Sequence, residues 1–175
     1  MDNEGGYRGG RDARFVTVRR GGTLEDGHHR LLAAWAADCA EHILVLFSAQ
    51  HPQDDRPRQA IEQARAWSRG EISLAQARQA AIAAHAAART ASGAAREAAR
   101  AAGHAAATAH MADHELGAAA YALRAVRAAS PPDQRDENGR KECQWQRAQL
   151  PEAIRGLVLS DEKLRNRKLW SIFEG

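Results

Sequence analysis

The residues of this sequence best suited to chemistry lie in the stretch HAAATAHMADH, residues 104–114, where three histidines and an aspartate interrupt an alanine-rich run. His110 and His114 are four residues apart, a spacing that places both side chains on one face of a helix. His-x-x-x-His is how one helix supplies two ligands to zinc or a similar divalent metal. The matching protease motif has glutamate directly after the first histidine, and Met111 stands there instead. The pair is therefore a candidate metal site without the protease chemistry.

A second candidate pair lies in the string DCAEH, where Asp38 and His42 project within about 40° of each other on a helix. A carboxylate four residues before a histidine can accept its N–H, fix its tautomer and raise its basicity. This arrangement suits a general base or a metal site, and it equally suits a half-buried polar pair that only stabilises the fold. Asp38 and His42 are therefore the candidate catalytic residues, and whether the protein is an enzyme stays open, with a non-enzyme favoured.

Two further histidines and a tryptophan complete the candidate set. His104 lies six residues before His110, about 120° away around a helix, so one helix alone cannot bring all three histidines to one point. His85 could meet either face if its helix packs antiparallel. The simpler interpretation is that His85 and His104 are interior histidines that hydrogen-bond to backbone or to each other. Trp145 belongs to a polar group that could bind these histidines or line a groove. The candidate ligand-binding residues are Asp38, His42, His85, His104, His110, His114 and Trp145.

Helical periodicity and capping signals predict the elements that carry these residues. Apolar positions step by three and four through TLEDGHHRLLAAWAADCAEHILVLFSAQ, which predicts the first helix. Ser73 and Gln76 are three apart and predict a capping box at the start of the third helix. A long fourth helix, which carries the histidine-rich stretch, is predicted from about Ala94 to Ala129.

These patterns predict an all-α fold, a single-domain bundle of about five to seven helices over residues 15–175. Residues 1–14 are rich in Gly, Arg and Asp, and we expect a flexible N-terminal arm there. The string RFVTVRRGG has the alternation of a short strand but no second strand to pair with. We expect it to lie extended on the helices.

Composition and charge argue against several function classes. The net charge of +3 comes from basic and acidic residues that are interspersed, which argues against nucleic-acid binding. The longest apolar run, ILVLF, is far short of the roughly 20 residues of a membrane span. No signal peptide is visible. We therefore expect a cytoplasmic protein whose two cysteines, Cys39 and Cys143, are reduced.

A resemblance to a known family is carried by six strings: FVTVRRGGTL, LLAAWAADCAEH, HPQDDRPRQAIEQARAW, AGHAAATAHMADHELGAAAYAL, WQRAQLPEAIRGLVL and LRNRKLWSIF. Together they resemble the immunity-five-like helical domain, a bacterial immunity protein family linked to polymorphic toxin systems. The resemblance covers the chain from about Arg14 to Phe173. It implies an all-helical single domain that neutralises a partner toxin by binding it.

The resemblance also implies which residues this chain shares with its relatives. Family members tend to share an Asp-Cys-x-x-His element and a histidine-rich helix. Here these map onto Asp38, Cys39 and His42, and onto His104, His110 and His114. The pair Lys168-Leu169 stands where a cysteine-containing pair is expected, so any role of that cysteine in relatives does not transfer to this chain.

Three functions are compatible with these residues. The first, which we favour, is an immunity protein that binds a toxin protein or a toxic small molecule and needs no cofactor. The second is an enzyme or metal-binding protein in which the DCAEH pair and the pair His110 and His114 converge, with a divalent transition metal as the alternative cofactor. The third is a structural bundle whose histidines only specify helix register. The alanine- and glycine-rich faces would also permit a homodimer.

Overall fold

A computed structural model describes residues 10–174, in which the chain forms eight α-helices and no β-strand. The helices are α1 (Asp26–His42), α2 (Val45–Ser48), α3 (Arg56–Ser68), α4 (Leu74–Arg89), α5 (Gly93–Ala107), α6 (Glu115–Ala129), α7 (Arg135–Ala148) and α8 (Glu152–Arg165). The predicted all-α fold is confirmed. The helices outnumber the predicted five to seven because the first and fourth predicted helices are each broken in two. Over the described part of the chain, no helix has the length and apolarity needed to cross a bilayer.

Local signals place the start of α4 as predicted. The Ser73 hydroxyl accepts the backbone N–H of Gln76 at 3.2 Å. In return, the side-chain oxygen of Gln76 accepts the backbone N–H of Ser73 at 2.9 Å. This reciprocal capping box satisfies two amide groups that the first turn of a helix leaves without partners. The preceding turn uses Gly70 at φ +75°, a left-handed conformation that glycine adopts without steric cost.

The centre of the bundle is α5, which packs against α1, α3, α4 and α6. Almost every residue of its buried surface is alanine, and so are most residues that face it. Methyl side chains let helix axes approach closely, which compensates for the low aromatic content of the sequence. The buried alanines of α5 are Ala95, Ala98, Ala99, Ala101, Ala102, Ala105, Ala106 and Ala107.

Larger side chains fill a second half of the core, between α1, α6, α7, α8 and the N-terminal segment. Helices α1 and α6 contribute residues to both halves. The largest fully buried apolar residues of this second half are Leu32, Trp35, Leu116, Leu123, Ile154 and Val158.

The N-terminal segment lies on this second half of the core. Phe15 and Val16 are buried, and Arg14 donates a hydrogen bond to the Ser160 hydroxyl at 2.7 Å. A single β-bridge joins Thr17 to Leu24. Of the predicted flexible arm, residues 1–9 lie outside the described residues, and residues 10–14 belong to the segment that contacts the bundle.

The chain does not form the single helix predicted from Ala94 to Ala129. It is broken between α5 and α6, which fold back on each other as an antiparallel hairpin. Glu97, near the start of α5, pairs at 3.0 Å with Arg124, near the end of α6. The prediction that His110 and His114 share one helical face is therefore wrong, because both precede α6.

Side chains from distant parts of the chain explain this break. His29 of α1 donates a hydrogen bond from Nε2 to the carbonyl oxygen of Thr108 at 2.6 Å. Arg165 of α8 donates to the carbonyl oxygen of Asp113 at 2.9 Å. Both carbonyl groups are thereby satisfied without a continuous helix, so tertiary contacts override the helical propensity of the alanines.

Two glycines inside helices make room for histidine rings. A Cβ atom added to Gly103 of α5 would lie 2.6 Å from Cε1 of His85. A Cβ added to Gly117 of α6 would lie 2.6 Å from Nδ1 of His104. Real Cβ atoms do not approach ring atoms so closely, so each imidazole packs directly against the backbone of the neighbouring helix.

We expect Gly117→Ala to destabilise the protein by about 1–3 kcal/mol, because the new methyl group overlaps the His104 ring in a packed core. At an open helical position the same substitution stabilises by up to about 1 kcal/mol. Gly156→Ala is the matched control, since Gly156 is exposed on α8 with open space at its Cβ position. The free energy of unfolding in urea checks both variants. Equal stability of the two variants would contradict this packing.

Candidate binding site

Four histidines lie together at the α5–α6 end of the bundle, and we call them the histidine cluster: His85, His104, His110 and His114. Nδ1 of His104 is 3.1 Å from Nδ1 of His114. The His85 ring meets the His104 ring edge-on at 5.2 Å between centroids, and the His110 ring lies 5.5 Å from that of His114. The prediction that His104 faces away from the other two is therefore wrong. The break after α5 turns His110 and His114 back towards it.

Hydrogen bonds and stacking fix the rings of this cluster. A bond between two Nδ1 atoms requires that one imidazole donates and the other accepts, so His104 and His114 hold complementary neutral tautomers. Arg100 donates from Nη1 to Nδ1 of His85 at 3.3 Å. Tyr121 of α6 stacks on His104 with 5.1 Å between ring centroids. These contacts hold the imidazoles as neutral hydrogen-bonding groups.

Burial explains the titration of the cluster. It lowers the pKa of His104 to about 3 and the pKa of His85 to about 4, because the charged imidazolium loses its hydration. The neighbouring His114 and Arg100 lower these pKa values further through charge repulsion. Burial also lowers the pKa of His110 and of His114. Near neutral pH the cluster is therefore uncharged.

The candidate metal ligands His110 and His114 do not form a complete ligand set. Within residues 10–174, no group of three or more His, Cys, Asp or Glu side chains is placed to hold a metal ion. Two imidazoles supply half of a tetrahedral zinc site, and Nδ1 of His114 is already engaged by His104. The described residues thus offer this pair no further protein ligands.

The candidate pair Asp38 and His42 does not form its predicted hydrogen bond. Asp38 accepts a hydrogen bond from Nη2 of Arg65 on α3 at 2.8 Å. His42 instead places Nδ1 2.8 Å from a carboxylate oxygen of Glu142 on α7. Each residue thus has a partner with a charged side chain on a helix other than α1.

His42, Glu142 and Trp145 form a compact polar group at the surface. The rings of His42 and Trp145 are stacked in parallel at 3.6 Å. Glu142 is 5% exposed, whereas His42 is 40% exposed, so a buried carboxylate supports a histidine that reaches solvent. Burial raises the pKa of Glu142, and the neighbouring His42 opposes that rise. This carboxylate–imidazole pair could orient a general base.

Sequence reasoning missed Glu142. It lies in a charged run, RDENGRKECQWQ, in which nothing separates it from residues on a solvated helix face. Its position three residues before Trp145 is the one local signal, because residues three apart share a helical face.

The structure does not join the two predicted sites. Among residues 10–174, no hydrogen bond or ring contact links Asp38 or His42 to the histidine cluster. Trp145 contacts His42 and not an interior histidine. Convergence of the two pairs into one pocket is therefore wrong. His110 lines a separate surface cleft together with His29 and Trp67.

A comparison with protein families decides what kind of protein carries this bundle. A model of the family described as Imm-5 like putative immunity protein matches residues 22–153. The chain belongs to this family. The match extends over α1 to α7 and includes every candidate site residue predicted from the sequence. Among the curated proteins and the solved structures, none matches the chain.

The lowered histidine pKa values predict a pH-dependent stability. A histidine that is neutral in the folded state and has an ordinary pKa of about 6.5 when unfolded stabilises the fold above pH 6.5. This contribution is lost as the pH falls from about 6.5 towards the folded values of about 4 and 3. We expect the unfolding free energy to fall over that range by up to about 1.4 kcal/mol per pH unit for each histidine.

The variant His104→Gln isolates this effect, because carboxylates titrate similarly in both proteins. We expect a shallower decrease in stability between pH 6.5 and 4 for the variant than for the natural sequence. Urea unfolding at a series of pH values measures both profiles. Parallel profiles would show that His104 is not held neutral by burial.

Proposed function

We propose that this Imm-5 like protein is an immunity protein that neutralises a toxin by binding it. The match of the family model to residues 22–153 carries the proposal. In this account the protein acts in the cytoplasm of the bacterium that also makes the toxin. A toxic small molecule is the alternative ligand.

The histidine cluster supports binding over catalysis. A general base works best when its pKa lies near the working pH. Burial takes His85 and His104 far below neutral values, to about 4 and about 3. Their rings also fill the space above Gly103 and Gly117, which leaves no room there for a substrate. The cluster therefore positions α4, α5 and α6 relative to one another.

The cysteines support the same conclusion. Cys39 and Cys143 are both buried. Burial raises the pKa of Cys143 to about 11, and it raises the pKa of Cys39 as well. A thiol acts as a nucleophile in its ionised form, so neither side chain is activated for covalent catalysis.

One observation favours a second candidate function. Nδ1 of His42 lies 2.8 Å from the buried carboxylate of Glu142, and His42 is partly exposed to solvent. A carboxylate that orients a histidine is the arrangement of a general base. In this alternative, the protein would inactivate its toxin or a toxic small molecule by an acid–base reaction.

Protection of cells tests the proposed function. Growth should stop when the partner toxin is expressed alone and recover when the chain is co-expressed. The two purified proteins should then elute together in size-exclusion chromatography as one complex. A strain that makes the toxin and loses the chain without any growth defect would contradict the proposal.

Glu142→Gln separates binding from catalysis. Glutamine keeps the shape of the side chain and can still contact His42, but it removes the carboxylate that orients a general base. If the protein acts by binding, we expect protection equal to that of the natural sequence. If the pair is catalytic, inactivation should slow by about 10²–10⁴-fold, the usual contribution of general base catalysis. His42→Gln should likewise leave protection unchanged if the protein acts by binding, and it should slow inactivation if the pair is catalytic.

A further inference from the structure

A cleft of about 470 Å³ opens on the surface beside the α5–α6 connection. Its lining includes Phe15, Val16 and Thr17 of the N-terminal segment, Trp67 at the end of α3 and Leu74 at the start of α4. His110 of the α5–α6 connection lines it as well. We call this the arginine cleft, because Arg11, Arg19 and Arg20 also line it. The lining residues from the N-terminal segment lie outside the stretch that the family model matches.

The arginine cleft carries an excess of positive charge. None of its described lining residues is an Asp or a Glu. Arg19 pairs with Asp26 at 3.2 Å and Arg11 pairs with Asp113 at 3.3 Å. Arg20 forms no ion pair with any residue from 10 to 174. Uncompensated charge at a concave surface attracts an oppositely charged ligand.

Positive charges also surround His110. Burial lowers the pKa of His110, and the charges of Arg78, Arg11 and Arg20 lower it further, while Asp113 opposes the decrease. Arg78, an exposed residue of α4, also makes no ion pair within the described part of the chain. Nδ1 of His110 is buried and has no hydrogen-bond partner among the described residues. A carboxylate in the cleft would provide a counter-charge to Arg20 and would lie beside the His110 imidazole.

Apolar groups surround these polar ones. Leu74, which lines the arginine cleft, is 42% exposed. Trp67 packs against His29 with 4.7 Å between ring centroids, which holds its indole in the cleft wall. Tryptophan and arginine are the residue types that most often dominate the binding energy of protein interfaces. A cleft lined by both arginine and apolar side chains suits a polypeptide that carries both acidic and apolar side chains.

We propose that the arginine cleft binds an acidic segment of the partner toxin, with a carboxylate between Arg20 and His110 and an apolar side chain against Trp67. This inference rests on the proposed function and names the part of the surface that carries it out. The electrostatic attraction between the cleft and the acidic segment mainly increases the rate of association, and it weakens as the salt concentration rises.

A peptide probe tests the cleft on the full-length protein without knowledge of the toxin. The probe is the blocked peptide Gly-Glu-Leu-Glu-Glu-Gly, and the control peptide has Gln in place of Glu. In NMR titrations at low ionic strength, we expect saturable shifts at the Trp67 indole N–H, the His110 ring and the Arg20 amide. Arg20→Glu should weaken binding by about fivefold or more. The control peptide should give no saturable shift.

Arg140→Glu is the matched control variant, because Arg140 is exposed on α7, away from the arginine cleft, and the net charge changes equally. It should bind the probe as the natural sequence does. Equal weakening in both variants would show non-specific charge attraction and would overturn the proposal. Inorganic phosphate that binds at the same residues as tightly as the peptide would overturn it as well, since the cleft would then be a small-anion site.

The toxin distinguishes failure of the cleft from failure of the proposed function. Arg20→Glu should weaken the complex by about tenfold or more, whereas Arg140→Glu should leave it unchanged. If the natural sequence protects cells and Arg20→Glu binds the toxin equally well, the cleft proposal is wrong and the proposed function stands. If the natural sequence binds no toxin, the proposed function itself fails.

Discussion

The close packing of α5 against its neighbours is the constraint on which the rest of the structure depends. A helix that is buried on nearly all sides by alanine brings neighbouring backbones within reach of one another. Rings can enter such an interface where a glycine faces them, as Gly103 faces His85 and Gly117 faces His104. Burial then removes the charge of both imidazoles. The same packing therefore sets the helix register and the chemistry of the histidines.

This constraint separates the polar residues of the protein into two kinds. Some lie inside the bundle and contact one another or aromatic rings, as His104 contacts His114 and Tyr121. Those at the surface face solvent, as His42 does above the buried Glu142 and as Arg20 does at the arginine cleft. In the proposed function, the protein acts through its outer surface, and the buried group would supply the rigidity that a pre-formed binding surface needs.

Local sequence patterns were sufficient to predict where helices form, but they were insufficient to predict where one helix ends and the chain turns into the next. The alanine-rich runs and the Ser73 capping box predicted α4 because helix formation depends on near neighbours in sequence. The break after α5 depends on His29 and Arg165, which reach the connection from other helices. No pattern within residues 94–129 contains that information.

The candidate site was predicted only in part, for the same reason. The four-residue spacing between Asp38 and His42 predicted that His42 has a carboxylate partner and placed that partner on the same helix. The actual partner, Glu142, is 100 residues away in the chain. The arginine cleft is lined by residues from three distant parts of the sequence. These residues form one surface only in the folded chain, so no local pattern could have grouped them.

The central claim, that this protein acts by binding, is tested most directly by titrating toxin activity with the purified chain and weighing the toxin afterwards by mass spectrometry. Binding predicts that activity is lost at a fixed molar ratio of chain to toxin. The toxin released by denaturing and refolding the complex should have an unchanged mass and full activity. Inactivation of many toxin molecules by one chain, or a changed toxin mass, would contradict the account.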